Sequence, residues 1–242
     1  MSSPGAEALF AALDATWPAG RIIPCNGWRI RDGVGGGKRV SAASAIAGSP
    51  DVDAAIAAMR AIGQPPLFML REGEEALDAA LAARGFELLD PTLIYLAPVE
   101  MLARKPPHVS LFPVWPPLAI MRDIWAAGGI GPARVQVMAR ACQPLTGFAA
   151  RHDDRAAGAG FCAVAGPIAM LHAIEIVPSQ RRRGVAENML RGAAHWAQDH
   201  GADWLALAVT AANRPARALY EKLGMQVAAR YHYRQIIEEE QR

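Results

Sequence analysis

The alternation of apolar and polar residues predicts a chain of closely spaced strands and helices. Two apolar runs, residues 168–177 and 204–209, are typical of buried strands. Pro178 follows the first run and ends it, because proline donates no ladder hydrogen bond. Beyond it, apolar residues recur at the spacing of one helix face, at Val185, Met189, Ala193, Trp196 and Ala197. This central stretch therefore predicts a strand, a basic glycine-containing turn and a helix.

The same rules predict the remaining elements. Further helices are expected at residues 4–17, 51–62, 74–84, 118–127, 132–140 and 214–223. Further strands are expected at residues 27–32, 39–45, 66–70, 143–151, 156–165 and 227–237, and residues 86–96 predict either a strand pair or one strand bent around Pro91. Residues 101–117 are rich in proline and predict a linker.

A glycine run at residues 33–38 follows the first of these strands. A phosphate-binding P-loop needs a glycine five positions before the Gly-Lys pair and a Ser or Thr after it. Asp32 and Arg39 occupy those two places. The run therefore predicts a hairpin turn between two strands.

Residues 79–86 resemble residues 218–225, since each segment is a helix end that closes on a glycine before a strand. We infer an internal duplication, with one domain at 1–105 and a second at 106–242. Leu81 stands in the first copy where Tyr220 stands in the second. The turn before the helix 51–62, Gly48-Ser-Pro-Asp, also lacks a basic glycine loop. The first domain is therefore expected not to bind a cofactor.

The basic turn after Pro178 has the chemistry of an anion site. Gly184 and the small Ala186 allow close backbone approach, and the first turn of a helix presents unpaired N–H groups and a positive dipole end. Arg181 and Arg183 would add planar guanidinium groups suited to phosphate oxygens. Taken alone, three arginines before a helix also fit a solvated surface run.

The spacing Arg181-x-x-Gly184-x-Ala186 resembles the acyl-CoA pyrophosphate loop of the GNAT acetyltransferase superfamily. The segment 213–225, with Asn213, Tyr220 and Gly224, is similar to a later helix of that family. The resemblance implies an α/β (α+β) fold with two GNAT-like halves, each a mixed, mostly antiparallel sheet flanked by helices. It implies that residues 1–105 are a degenerate GNAT-like domain and that residues 106–242 are catalytic.

The resemblance also implies transfer of an acetyl group from acetyl-CoA to the primary amine of a small molecule or peptide, in a complex that holds both substrates. Tyr220 would protonate the departing thiolate, since a phenol keeps its proton at neutral pH. Asn213 would contact the pantetheine arm, although a helix N-cap explains an asparagine equally well. The residues implied to hold the co-substrate are Ile174, Ile176, Val177, Arg181, Arg182, Arg183, Gly184, Val185, Ala186, Asn213, Ala216 and Tyr220.

Two residues of the strand 168–177 are candidates to receive the proton of the amine. Glu175 lies between apolar residues, where a carboxylate costs stability unless it faces a cleft or a partner. His172 matches a position that is a base in some relatives, and it could equally be a satisfied core histidine. The two face opposite sides of the strand unless a bulge intervenes, as it often does in the family. The N–H of Ile176 is the expected donor to the carbonyl oxygen.

Composition and charge narrow the partners and the cellular locations that we expect for this chain. The chain has 242 residues, a net charge of +2 and no apolar run long enough to cross a bilayer, so we expect neither nucleic acid nor membrane as a partner. The first residues have no basic start or apolar core, and we expect no export signal. Cys25, Cys142 and Cys162 are scattered, which favours reduced thiols in a cytoplasm and no metal site.

Two other functions remain open at this point. A non-catalytic acyl-CoA sensor or partner-binding module would share the fold without turnover. Nucleic-acid binding through residues 181–183 would be sensitive to salt. The sequence leaves the acceptor open among amino acids, polyamines, antibiotics and protein N-termini, and it leaves the oligomeric state open.

Overall fold

The computed structural model describes residues 2–46 and 50–236. Gly48 and Ser49 of the turn considered above, and Ile237 at the end of the expected closing strand, lie outside the described residues. The helices are α1 (Ala6–Thr16), α2 (Lys38–Ser41), α3 (Val52–Ala61), α4 (Glu75–Ala83), α5 (Val99–Leu102), α6 (Ala119–Ala127), α7 (Pro132–Ala139), α8 (Val185–Asp199) and α9 (Arg214–Lys222). The strands are β1 (Arg21–Cys25), β2 (Trp28–Asp32), β3 (Ser44–Ala45), β4 (Leu67–Arg71), β5 (Glu87–Pro98), β6 (Leu111–Val114), β7 (Leu145–His152), β8 (Arg155–Ala165), β9 (Ile168–Ile176), β10 (Trp204–Thr210) and β11 (Gln226–Gln235).

One compact unit comprises the described residues of Met1–Pro18, Ile94–Val209 and Pro215–Ala228. Its strands β6, β7, β8 and β9 form an antiparallel series, and β10 adds to β9 in parallel. The end of β5 runs along β10, where the Val99 N–H donates to Asp203 O at 2.9 Å. The sheet is therefore mixed and mostly antiparallel.

Helices cover both faces of this sheet. On one face, α8 packs so closely that a Cβ on Gly160 would lie 2.6 Å from Met189 Sδ. On the other face, α1 brings its following residue Trp17 against Phe161, with 6.2 Å between ring centroids. Both contacts bury apolar side chains, so the core of the unit lies on the two sides of β8 and β9.

The second unit comprises the described residues of Ala19–Leu93, Thr210–Arg214 and Ala229–Arg242. It contains the antiparallel sheet β1–β2–β3 and the antiparallel pair β4–β11. Trp28, Phe68 and Phe86 are buried in its core. Asp51 caps α3, since its carboxylate accepts from the N–H groups of Asp53 and Ala54 at 3.0 Å.

The expected mixed α/β fold with sheets flanked by helices is confirmed. The segment after β2 does join two antiparallel strands, β2 and β3, but the tight hairpin turn and a strand starting at residue 39 are wrong, because Gly37, at φ 93°, leads into the short helix α2, which buries Val40. The sequence analysis also missed β1. This strand contains Pro24, which argues against a central strand but is tolerated here because β1 is an edge strand that pairs only with β2 in the described sheet. Among the described residues, no helix combines the length and hydropathy needed to cross a bilayer. The division at residue 105 stays a prediction.

Asp78 on α4 should stabilise the second unit in a pH-dependent way. Hydrogen bonds from Arg234, at 2.7 and 2.9 Å, lower the pKa of Asp78 from 3.8 to about 2. Because that pKa is lowered on folding, the stabilisation is present above about pH 4 and is lost as the pH falls toward 2. We expect Asp78→Asn to lower the free energy of unfolding at pH 7 by about 1–2 kcal/mol, allowing for solvent screening.

Urea unfolding at pH 7 and at pH 2.5 measures this difference. Glu72→Gln is the matched control, since Glu72 pairs with Arg230 at the surface and both side chains are more than half exposed. An equal loss for Asp78→Asn at both pH values would contradict the assignment.

Candidate active site

Strands β9 and β10 pair over a short length and then part. In the described residues their register contains Ile168 with Trp204, Ala169 with Leu205 and Met170 with Ala206. Both strands continue beyond these pairs, β9 to Ile176 and β10 to Thr210. The edge of β9 after Met170 is therefore not paired with β10 in the described residues, and its N–H groups there are not used by that strand.

The N–H of Ile176 points to this open edge. Val177 N–H donates to Ala157 O on β8 at 3.0 Å, and Ile176 is the next residue back, opposite Gly158. Successive residues of an antiparallel strand direct their backbone groups to alternate sides. Ile176 thus turns its N–H away from β8.

A bulge interrupts β9 just before this point. Phe161 lies opposite His172 and Ala159 lies opposite Glu175, so one residue of β8 faces two residues of β9, Ala173 and Ile174. Ala173 has a φ of 50°, in the left-handed region that non-glycine residues rarely adopt. Because of the extra residue, His172 and Glu175 point to the same face of the sheet although they are three residues apart.

Helix α8 begins next to the end of β9. Gly184 precedes it at φ 80° and contributes no capping side chain. It is exposed, and a Cβ added there would meet nothing within 4 Å. The first N–H groups of α8 therefore face open space at the positive end of the helix dipole, which is an arrangement that binds anions.

The three arginines before α8 differ in their contacts. Arg181 turns back to β9, donating from Nε to Ile176 O at 3.1 Å and from Nη2 to Glu175 Oε1 at 3.3 Å. Arg183 pairs with Asp153 at 2.9 Å. Arg182 is exposed and has a φ of 62°. Two of the three are thus already engaged by carboxylates.

Tyr220 lies on α9, buried against Tyr95 of β5 with 5.4 Å between ring centroids. Within the described residues its hydroxyl has no hydrogen-bond partner, whereas the Tyr95 hydroxyl donates to Glu221 at 2.6 Å. Burial and the neighbouring Tyr95 raise the pKa of Tyr220 to about 12. Tyr220 therefore holds its proton at neutral pH and has a hydroxyl not committed to the protein.

Comparison with known proteins agrees with this geometry. Residues 119–225 match the model of the Acetyltransferase (GNAT) family. The chain is 25% identical over 232 residues to the uncharacterized N-acetyltransferase YobR of Bacillus subtilis, covering 91% of this chain and 94% of that protein. Residues 119–225 of this chain are therefore similar to the GNAT acetyltransferase family.

Two solved structures share the fold of this chain. The GCN5-related N-acetyltransferase from Kribbella flavida has a TM-score of 0.66 and 17% identity, with 96% of each chain covered. A tandem GNAT protein from the clavulanic acid biosynthesis pathway has a TM-score of 0.55 and 15% identity, covering 78% of this chain and 69% of that one.

His172 is held inside the GNAT fold. Its Nε2 lies 2.9 Å from Thr16 Oγ1, and the Thr16 hydroxyl donates its only proton to Ala12 O at 2.7 Å. Nε2 is therefore the donor to Thr16. His172 is also buried and stacks with Phe161. These contacts favour the satisfied core histidine over the base.

Glu175 is the more accessible of the two candidates, with 22% of its side chain exposed. Its carboxylate contacts Arg181 on one side and Gly128, after α6, on the other. The carboxylate thus lies at the surface of the sheet that α6 covers.

The other candidate residues lie at several places. Ile174, Ile176 and Val177 are half-buried at the end of β9, and Ala186 is half-buried in the first turn of α8. Val185 is buried, so only its backbone could face a ligand. In the second unit, Asn213 is exposed, and its N–H donates to Thr210 O at 3.0 Å. Ala216 is half-buried on α9.

Sequence reasoning missed three contacts at this site. Thr16 of α1 binds His172, the indole N–H of Trp125 donates to Ala173 O at 2.9 Å, and Gly128 packs on Glu175. The Gly128-Gly129 pair was visible as an interruption between two helices. Its packing partner was not, because it is distant in sequence.

The two neighbouring tyrosines should respond differently to loss of the hydroxyl. Tyr220→Phe removes no hydrogen bond and should change the free energy of unfolding at pH 7 by less than about 0.5 kcal/mol, whereas Tyr95→Phe should lower it by about 1 kcal/mol. Because the pKa of Tyr220 is raised to about 12, its contribution is present below pH 10 and is lost between pH 10 and 12. Tyr220→Phe should therefore gain stability relative to wild type at pH 11.

Urea unfolding of the three proteins at pH 7 and pH 11 tests this expectation. A loss above about 1 kcal/mol for Tyr220→Phe at pH 7 would mean that its hydroxyl is engaged.

Proposed function

We propose that this protein transfers the acetyl group of acetyl-CoA to the primary amine of a small molecule or peptide, directly, in a complex that holds both substrates. The observation that carries the proposal is the open edge of β9 beside the uncapped start of α8. A single ligand with an anionic group and an extended, amide-bearing arm would satisfy both sets of backbone groups. Acetyl-CoA has those two parts, and it supplies the acetyl group as a thioester.

The residues present fit such a co-substrate. The exposed Gly184 has open space where a Cβ would project, and the N–H groups of Val185 and Ala186 follow it. Arg182 is exposed beside them. These groups would hold the pyrophosphate, and the end of β9, from Ile174 to Ile176, with the following Val177 would hold the arm.

Each chemical requirement of acyl transfer has a candidate. The N–H of Ile176, directed away from β8, would donate to the carbonyl oxygen as charge develops there. Tyr220, with its raised pKa, would hold a proton for the departing sulfur. Glu175 would receive the proton of the amine, directly or through water, in preference to His172, whose Nε2 is bonded to Thr16.

The first half of the chain is proposed to be a degenerate copy of the second half that binds no cofactor. The proposal rests on the sequence likeness of residues 79–86 and 218–225, since the way in which α4 and α9 end is shared by α3, α6 and α8. Phe86 N–H donates to Leu81 O at 3.1 Å, and Met225 N–H donates to Tyr220 O at 3.0 Å. Each helix is followed by a glycine at positive φ, Gly85 at 84° and Gly224 at 80°. The two helices thus end with the same backbone hydrogen bond. The first half has no phenol at the place of Tyr220, because Leu81 stands there.

Two further parts of the proposal concern partners and location. Engagement of Arg181 and Arg183 by Glu175 and Asp153 weakens the basic patch, which favours an amine acceptor over nucleic acid. The free thiols of Cys25, Cys142 and Cys162 are the basis for proposing the cytoplasm.

A CoA-release assay tests the proposed reaction. The acceptor panel contains lysine, spermidine, kanamycin and a short peptide with a free N terminus. Turnover of at least one amine, with the acetylated product detected by mass spectrometry, is expected. Micromolar binding of acetyl-CoA without turnover of any amine would favour the acyl-CoA sensor instead.

Gly184→Leu should abolish acetyl-CoA binding, because the added side chain fills the space before the first N–H groups of α8. Gly201→Leu is the matched control. Gly201 follows the other end of α8 at φ 81°, also with nothing within 4 Å of an added Cβ. Both changes should cost about 1–2 kcal/mol of stability through the positive φ, and only Gly184→Leu should raise the calorimetric Kd more than 100-fold. Equal affinities in the two variants would overturn the loop assignment.

Tyr220→Phe should lower kcat by about 10²–10⁴-fold if the phenol supplies the proton. The Kd of acetyl-CoA should change by less than threefold, because the ring and its packing on Tyr95 are kept. Unchanged turnover would remove Tyr220 from the mechanism.

A further inference from the structure

The end of α6 contacts β9 where the strand bulges. Trp125 is fully buried, and its indole N–H donates to Ala173 O at 2.9 Å. Ala173 is the bulged residue at φ 50°, and residues at the bulge have no partner directly opposite on the described part of β8. The hydrogen bond from Trp125 satisfies the Ala173 carbonyl at the bulge, and it connects α6 to the bulge.

Three residues further along, Gly128 lies against the Glu175 side chain. A Cβ on Gly128 would lie 2.6 Å from Glu175 Cδ and 2.7 Å from Cγ. Real Cβ atoms do not approach this closely, so any side chain at position 128 would displace the carboxylate or the helix end.

Position 128 requires glycine because Glu175 leaves no space for a side chain there, and not because of the backbone conformation. Gly128 has φ −88° and ψ 10°, which any residue can adopt. Gly131 offers a contrast, since it has φ −78° and nothing within 4 Å of an added Cβ. Of these two glycines, only Gly128 leaves room that another residue fills.

Glu175 is therefore confined from two sides. Arg181 holds Oε1 at 3.3 Å, and Gly128 leaves the space that the rest of the carboxyl group fills. Because the bulge sets Glu175 on the same face as His172, the carboxylate stays on the side of the sheet covered by α1 and α6.

We propose that Gly128 is a positioning residue, which keeps the Glu175 carboxylate at the bulge of β9 by leaving it space beside the α6 segment that Trp125 anchors. The kinetic part of this inference rests on the proposed function.

A double-mutant cycle tests the proposal. Gly128→Ala should lower kcat/KM for the panel amine with the highest turnover at least tenfold, with the Kd of acetyl-CoA unchanged within twofold. The control Gly131→Ala should keep kcat/KM within twofold. In the Glu175→Ala background, which removes the atoms that the added methyl group would strike, Gly128→Ala should have no further effect.

Thermal unfolding provides a readout that needs no substrate. Gly128→Ala should lower Tm by about one to two degrees in the wild-type background, because the far end of the Glu175 side chain can move away, and should leave Tm unchanged in the Glu175→Ala background, where the overlap is absent. If no amine is turned over by the wild type, the proposed function fails while this stability cycle still tests the contact. Additive effects of the two substitutions, in Tm or in kcat/KM, or a Gly128→Ala protein that equals Gly131→Ala, would overturn the proposal.

Discussion

The candidate active site depends on the backbone hydrogen bonds that β9 does not make. A strand inside a sheet normally satisfies both edges, and an unsatisfied buried backbone donor is costly. Here β9 pairs with β8 on both sides of its bulge, but within the described residues it pairs with β10 only from Ile168 to Met170. The remaining edge is not paired with β10, and the pairing with β8 on the opposite side holds its N–H donors in place.

The same principle governs the start of α8. The first turn of a helix has unpaired N–H groups by its nature, and Gly184 provides no side chain to cap them. Only seven residues, 178–184, separate Val177 from α8, so the two sets of free backbone donors lie close in the chain. The three arginines before α8 contribute less positive charge to this turn than their number suggests, because Arg181 and Arg183 bind carboxylates of the protein itself.

The bulge links the backbone of the site to its side chains. Without the extra residue, His172 and Glu175 would lie on opposite faces, and with it both lie under α1 and α6. The environments of these two side chains nevertheless differ. Thr16 and the aromatic rings enclose His172, whereas Glu175 stays partly exposed between Arg181 and Gly128. Two residues three apart on one strand thus differ because of helices that come from distant parts of the chain.

The sequence alone determined the order of the main elements around the site, the basic glycine turn and the position of Tyr220. These follow from local periodicity, proline and glycine, which act within a few residues and can be seen in the printed letters. The sequence did not predict the short helix α2 or the edge strand β1, because the conformation of glycine-rich and proline-containing segments depends on the packing around them. Only the tertiary structure decided where β9 leaves β10, that a bulge turns Glu175 to the face of His172, and which groups enclose each of them. The reason is physical: strand separation, bulge position and burial are set by contacts between segments that lie far apart in the chain.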